Sequence, residues 1–135
     1  MSIPQSGGGP IEHQTQLAEY LASGCKPKSD WRIGTEHEKF GYLTDTHAPL
    51  PYEGPRSILA VLEGLRDRFG WAEVREAGKL IGLTKGDANV SLEPGGALEL
   101  SGAPLETIHQ TCDEVNEHLR EVKGMADEIG VGFIG

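Results

Sequence analysis

Apolar residues recur at helical spacing in three stretches of the chain, and the stretches between them alternate polar with apolar. The first helical stretch opens at Pro10, carries Ile11, Leu17, Tyr20 and Leu21, and closes at Gly24. The second opens at Pro55, places Ile58, Leu59, Leu62, Leu65 and Phe69 on one side, and ends at Gly70. The third runs from about Pro104 to Ile129. Leu105, Ile108, Cys112, Val115, Leu119, Val122 and Ile129 predict a one-sided core stripe along it, and Gly130 stops it. Pro104 suits a first helical position, and Glu106 favours the positive end of the helix dipole.

Strand patterns fill the gaps. Trp31 to Leu43 reads as a strand with Glu36, Glu38, Phe40 and Tyr42 on one face and His37 and Lys39 on the other. Lys79 to Thr84 and Asn89 to Glu93 predict a hairpin turning at Lys85-Gly86-Asp87-Ala88. The chain returns as Ala97 to Ser101 after Pro94-Gly95-Gly96. Val131 to Gly135 begins one more strand with no partner left to come, which predicts an incomplete domain. Residues 1–9, with three consecutive glycines, predict a flexible lead-in. Residues 10–135 then form one α+β unit, an antiparallel sheet with packed helices.

Composition narrows the functions. The chain has 135 residues, 37% hydrophobic, and a net charge of -9 from 12 basic and 21 acidic residues. That balance excludes the basic footprint that nucleic acid or an anionic membrane surface requires. The longest apolar run, Ile58 to Leu62, is far too short to span a bilayer. The first nine residues lack the basic and apolar regions of a secretory leader, so a cytoplasmic protein is expected. Cys25 and Cys112 stand far apart and outside any CxxC arrangement, which argues against a disulfide scaffold or a zinc knuckle. Cys112, on the third helical stripe, reads as a buried thiol.

The acidic excess includes four glutamates in unusual places. Glu93 and Glu99 flank the Pro-Gly-Gly turn in otherwise apolar sequence, where a carboxylate costs several kcal/mol unless its charge is compensated. Glu36 and Glu38 share a strand face at roughly 6.5–7 Å between Cα atoms, suited to neighbouring hard cations. Spacing alone favours a solvated strand face for that pair, although Phe40 and Tyr42 beside them count against full exposure. His37 points away from its glutamate neighbours, and His109 and His118 do not sit on adjacent turns. No Walker loop, dinucleotide fingerprint, zinc-protease motif or nucleophile elbow occurs.

Taken together, Gly34-Thr35-Glu36-His37-Glu38-Lys39-Phe40-Gly41, Ser91-Leu92-Glu93-Pro94-Gly95-Gly96 and Leu98-Glu99-Leu100-Ser101-Gly102-Ala103-Pro104 resemble glutamate–cysteine ligase of the plant and proteobacterial type. His109-Gln110-Thr111-Cys112 and the segment through Lys123 continue the likeness. The resemblance implies a partial glutamine-synthetase-like antiparallel sheet whose glutamates hold Mg²⁺ around ATP. It implies metal ligation by Glu36, Glu38, Glu93 and Glu99, with Glu38, Glu93 and Glu99 sharing one ion. It assigns no catalytic residue and no nucleotide-binding residue. Glutamate, cysteine and ATP are the implied small-molecule substrates, without nucleic acid or membrane, and the reaction is the first step of glutathione synthesis. Ala97 stands where the family suggests glutamine. Family members are several times longer, so the chain reads as an N-terminal fragment, inactive alone. Another carboxylate–amine ligase of the same scaffold and a non-catalytic remnant are the alternatives.

Overall fold

The computed structural model describes residues 8–135, so most of the expected lead-in lies outside the described residues. Six strands form one antiparallel sheet: β1 (Glu36–Leu43), β2 (Ala72–Glu76), β3 (Lys79–Lys85), β4 (Ala88–Glu93), β5 (Ala97–Ser101) and β6 (Val131–Ile134). Their order is β2-β3-β4-β5-β1-β6. Among the described residues three α-helices accompany them: α1 (Gln14–Ser23), α2 (Ile58–Phe69) and α3 (Ile108–Ile129). The α+β expectation holds.

Helix starts are set by caps rather than by the prolines. Ser57 Oγ accepts the Ala60 N–H at 3.1 Å, so α2 begins at Ile58 instead of Pro55. Thr107 and Gln110 cap each other reciprocally at the start of α3, with Gln110 N–H donating to Thr107 Oγ1 and Gln110 Oε1 accepting from the Thr107 N–H. That leaves Leu105 free to pair with Ile33 in an isolated bridge. The strand predicted from Trp31 therefore starts five residues later, at Glu36.

The core lies between the sheet and helices α2 and α3. Ile58, Val61, Leu62 and Leu65 of α2 and Val122 of α3 meet Leu83, Val90, Leu98 and Leu100 of the sheet. Leu80 joins them although parity would send it to the other face. An irregularity in the β2–β3 register, where Val74 pairs with Gly82 but Arg75 with Leu80, resets the alternation.

Three expectations fail. Helix α1 buries none of its residues, and Leu17, Tyr20 and Leu21 are exposed, so its apolar spacing marks no core stripe here. Helix α3 turns a different face inward: Thr111, His118, Glu121, Val122, Met125 and Ala126 are buried, whereas Ile108, Leu119 and Cys112 are exposed. Cys112 is thus a surface thiol. The interior asks for polar groups along α3, because Glu121 accepts from the buried Trp71 Nε1–H at 2.9 Å and from Lys85 Nζ at 3.2 Å. Finally, the last strand is not unpaired: β6 runs antiparallel to β1, with Gly132 opposite Tyr42.

Candidate functional site

Strand register brings the four glutamates to one face. Glu38 stands directly opposite Glu99, which in turn stands opposite Ser91. Glu36 faces Ser101, itself opposite Asn89, and Phe40 faces Ala97, itself opposite Glu93. These three rows cross β1, β5 and β4 on the face turned away from α2 and α3. The intervening rows, His37–Leu100–Val90 and Lys39–Leu98–Leu92, point to the helices. His37 is therefore opposite in face to Glu36 and Glu38, as its parity predicts.

The four carboxylates differ in surroundings. Glu36 and Glu38 are exposed, Glu93 is half-buried, and Glu99 is only 2% exposed. Ser101 Oγ donates to Glu99 Oε1 at 2.6 Å, and Ser91 Oγ donates to Glu93 Oε1 at 3.3 Å. Pro94-Gly95-Gly96 follows Glu93 as a short 3-10 turn whose two glycines have φ of 84° and 81°. That left-handed backbone is strained for other residues, so the glycines are what let β4 double back into β5. Ala97, buried beneath the turn, offers no polar group in its row.

The face supplies oxygen donors only, the set that hard divalent cations take. Asn89 adds a further one: its Oδ1 is buried and has no hydrogen-bond partner. Sequence reasoning missed it, although residues 89, 91 and 93 share parity along β4. The donor chemistry fits such a cation. Glu38 and Glu99 are brought directly together, but Glu36 and Glu93 lie in the rows to either side. Among the described residues no three His, Cys, Asp or Glu side chains converge closely enough to hold a metal ion. Like charges placed opposite one another across strands splay apart.

The helix side of β1 carries a second polar group that the sequence did not single out. Lys39 is 1% exposed, and burial pushes its ammonium down to about 8. His37 is also lowered, by burial first and then by the Lys39 charge. His118, on α3, is 2% exposed and pushed down to about 3, chiefly by burial, with the charges of Lys39 and His37 acting in the same direction.

A family profile described as glutamate-cysteine ligase family 2 (GCS2) matches residues 32–135, the stretch that holds β1 through β6 and all four glutamates. The chain belongs to this ligase family. Glutamate–cysteine ligase A, chloroplastic, of Oryza sativa subsp. japonica is 48% identical over 153 residues, covering 100% of the chain and 30% of that relative. The chloroplastic enzyme of Nicotiana tabacum is 57% identical over 119 residues, covering 88% of the chain and 22% of its own length. The Arabidopsis thaliana enzyme is 56% identical with the same coverage. The chain thus spans between 22% and 30% of these curated relatives. Their names overturn the expected cytoplasmic location, since they are chloroplastic. A plastid address uses a different signal from a secretory leader. No helix among the described residues is long and apolar enough to cross a membrane.

Proposed function

We propose that this chain is the carboxylate-bearing, N-terminal part of an ATP-dependent ligase joining the side-chain carboxylate of glutamate to the amine of cysteine. The observation that carries the reading is the placement of Glu36, Glu38, Glu93 and Glu99 on one sheet face within the stretch that matches the family. Glu38, Glu93 and Glu99 would hold one Mg²⁺ and Glu36 would help hold another, with Asn89 Oδ1 as an additional donor nearby. Bound magnesium would supply charge neutralisation for the transfer of phosphate from ATP to glutamate and for its displacement by the cysteine amine. Ser101 and Ser91 orient Glu99 and Glu93 by donating to one oxygen of each. The Pro-Gly-Gly turn fixes where Glu93 ends its strand. The full reaction belongs to the longer protein, and this chain alone is inactive.

The test uses a full-length relative. Replacing the counterpart of Glu93 by Gln removes one charge and keeps the shape, so glutamate- and cysteine-dependent ADP release should vanish while the fold persists. Near-wild-type turnover in saturating Mg²⁺ removes Glu93 from the metal shell and defeats the proposal.

A further inference from the structure

We propose that the cleft between α3 and the β3–β4 hairpin, on the side of the sheet opposite the four glutamates, is a site for a short-chain primary amine bound as its ammonium by Glu114 and His118. The cleft has a volume of 190 Å³. Glu114, Glu117, His118 and Glu121 line it from α3, at the spacings of three and four residues that put side chains on one helix face. Lys85, Ala88 and Leu100 of the sheet, with Trp71, form the other wall.

Two of the lining side chains carry unmet polar atoms. His118 is 2% exposed, and neither Nδ1 nor Nε2 has a hydrogen-bond partner. A neutral imidazole presents one N–H donor and one lone-pair acceptor, and burying both unmet is unfavourable. Glu114, one turn earlier on α3, is held by a single bond: its Oε1 accepts the Ala103 N–H at 2.9 Å, while Oε2 is buried without a partner. A Cβ on Gly102 would collide with that oxygen, so the chain before Ala103 leaves room for the carboxylate.

The charges in the cleft favour a cation. Lys85 is the basic side chain that lines it, and its ammonium is already shared by Glu121 at 3.2 Å and Glu117 at 3.8 Å. Glu121 also accepts from the Trp71 indole N–H. Glu114 pairs with no basic side chain among the described residues, and a buried carboxylate without a counter-charge is strongly destabilising. Water would satisfy the hydrogen bonds and leave that charge uncompensated. A hard divalent ion is a poor match, because no three ligating side chains converge and half the wall is apolar. An ammonium has three N–H donors and no acceptor, which suits Glu114 Oε2 and the imidazole lone pair together. Its short tail would lie against Ala88 and Leu100. The Trp71 ring is occupied by the Lys85 ammonium, 5.5 Å from its centre, so the second cation belongs at the Glu114 end. Burial keeps the His118 ring neutral down to about 3, which leaves its lone pair open across the neutral range.

The test compares melting of the chain in ethylammonium chloride, tetramethylammonium chloride and sodium chloride at equal ionic strength, together with NMR of the ¹⁵N-labelled histidine rings. Tetramethylammonium carries the same charge as ethylammonium and no N–H. The expected result is a saturable rise of several degrees in ethylammonium only, with the His118 ring signals shifting over the same concentration range. Glu114→Gln keeps an oxygen for the Ala103 N–H and removes the charge, so it should abolish the rise. His118→Phe should weaken the apparent affinity several-fold. Should either variant fail to fold, the His118 titration of the unaltered chain decides. Equal melting in the three salts, His118 signals that stay fixed as ethylammonium is added, or an undiminished effect in Glu114→Gln overturns the proposal.

Discussion

His118 should make the chain lose stability on mild acidification. Its imidazole is neutral in the fold down to about 3 because burial and the charges of Lys39 and His37 oppose protonation. In the unfolded chain the same ring protonates near its ordinary value of 6.5. Below 6.5 the unfolded state therefore binds a proton that the folded state does not, and stability falls as pH drops through the window from 6.5 toward 3. At about pH 5 the loss amounts to about 2 kcal/mol, since each unit of separation corresponds to about 1.4 kcal/mol. For a domain of this size that lowers the melting temperature by about 6–10 °C. Four arginine-paired carboxylates do not confuse the measurement. Asp45, Asp67, Glu73 and Glu128 are held below their usual range by Arg56, Arg66, Arg75 and Arg68 respectively, so their contributions are lost only in stronger acid. The assay is calorimetric melting from neutral pH to about pH 5 in chloride-free buffer, on the unaltered chain and on His118→Gln. The variant should keep only the smaller slope that His37, also lowered, contributes. An unchanged slope in His118→Gln would refute the assignment of this proton to His118.

Glu121 holds α3 to the sheet through Trp71 and Lys85, so its substitutions should separate by chemistry. Glu121→Gln keeps an acceptor for the indole N–H and should cost about 1 kcal/mol, whereas Glu121→Leu leaves that donor unmet and should cost about 2–4 kcal/mol, read by urea unfolding. Equal loss in the two would mean that packing alone is at stake. The isolated chain should bind Mg²⁺ only weakly by calorimetric titration and release no ADP in the presence of glutamate, cysteine and ATP, because its carboxylates do not close an oxygen shell. Dipeptide formation by this chain alone would contradict that account.

Sheet and core were legible because they follow parity and simple caps. Glu36, Glu38 and His37 fell on the faces that period-two alternation assigned, and the hairpin between β3 and β4 turned at Gly86, whose φ is 61°. What failed was information carried by tertiary partners. Strand β2 went unread because Ala72 to Glu76 exposes most of its residues and alternates over only two small apolar positions, Ala72 and Val74. The buried face of α3 was misread by roughly one position, because His118 and Glu121 look like surface residues until Lys39, Trp71 and Lys85 are placed beside them. The face shared by Glu93 and Glu99 could not be settled by counting across the Pro-Gly-Gly turn. Pairing of Glu99 with Glu38 and of Glu93 with Ala97 settles it.

The division of charge across β1 depends on register. Shifting this strand by one residue against β5 would carry Glu36 and Glu38 into the apolar core and set Lys39 among the outer carboxylates. Side-chain hydrophobicity alone guards weakly against that slip, since β1 bears few apolar residues on its core side. Close contacts guard it better. A Cβ on Gly41 would meet Leu50 Cδ1, and one on Gly132 would meet the ring of Tyr42, so Leu50 and Tyr42 occupy space that only glycine leaves. Moving β1 by one residue would drive Tyr42 or Phe40 against positions that have no such room. The two glycines, one on β1 and one on its neighbour β6, therefore hold the strand at the register that presents acid to one side and base to the other. The proposed magnesium face rests on this strand, and loosening β6 should disturb it.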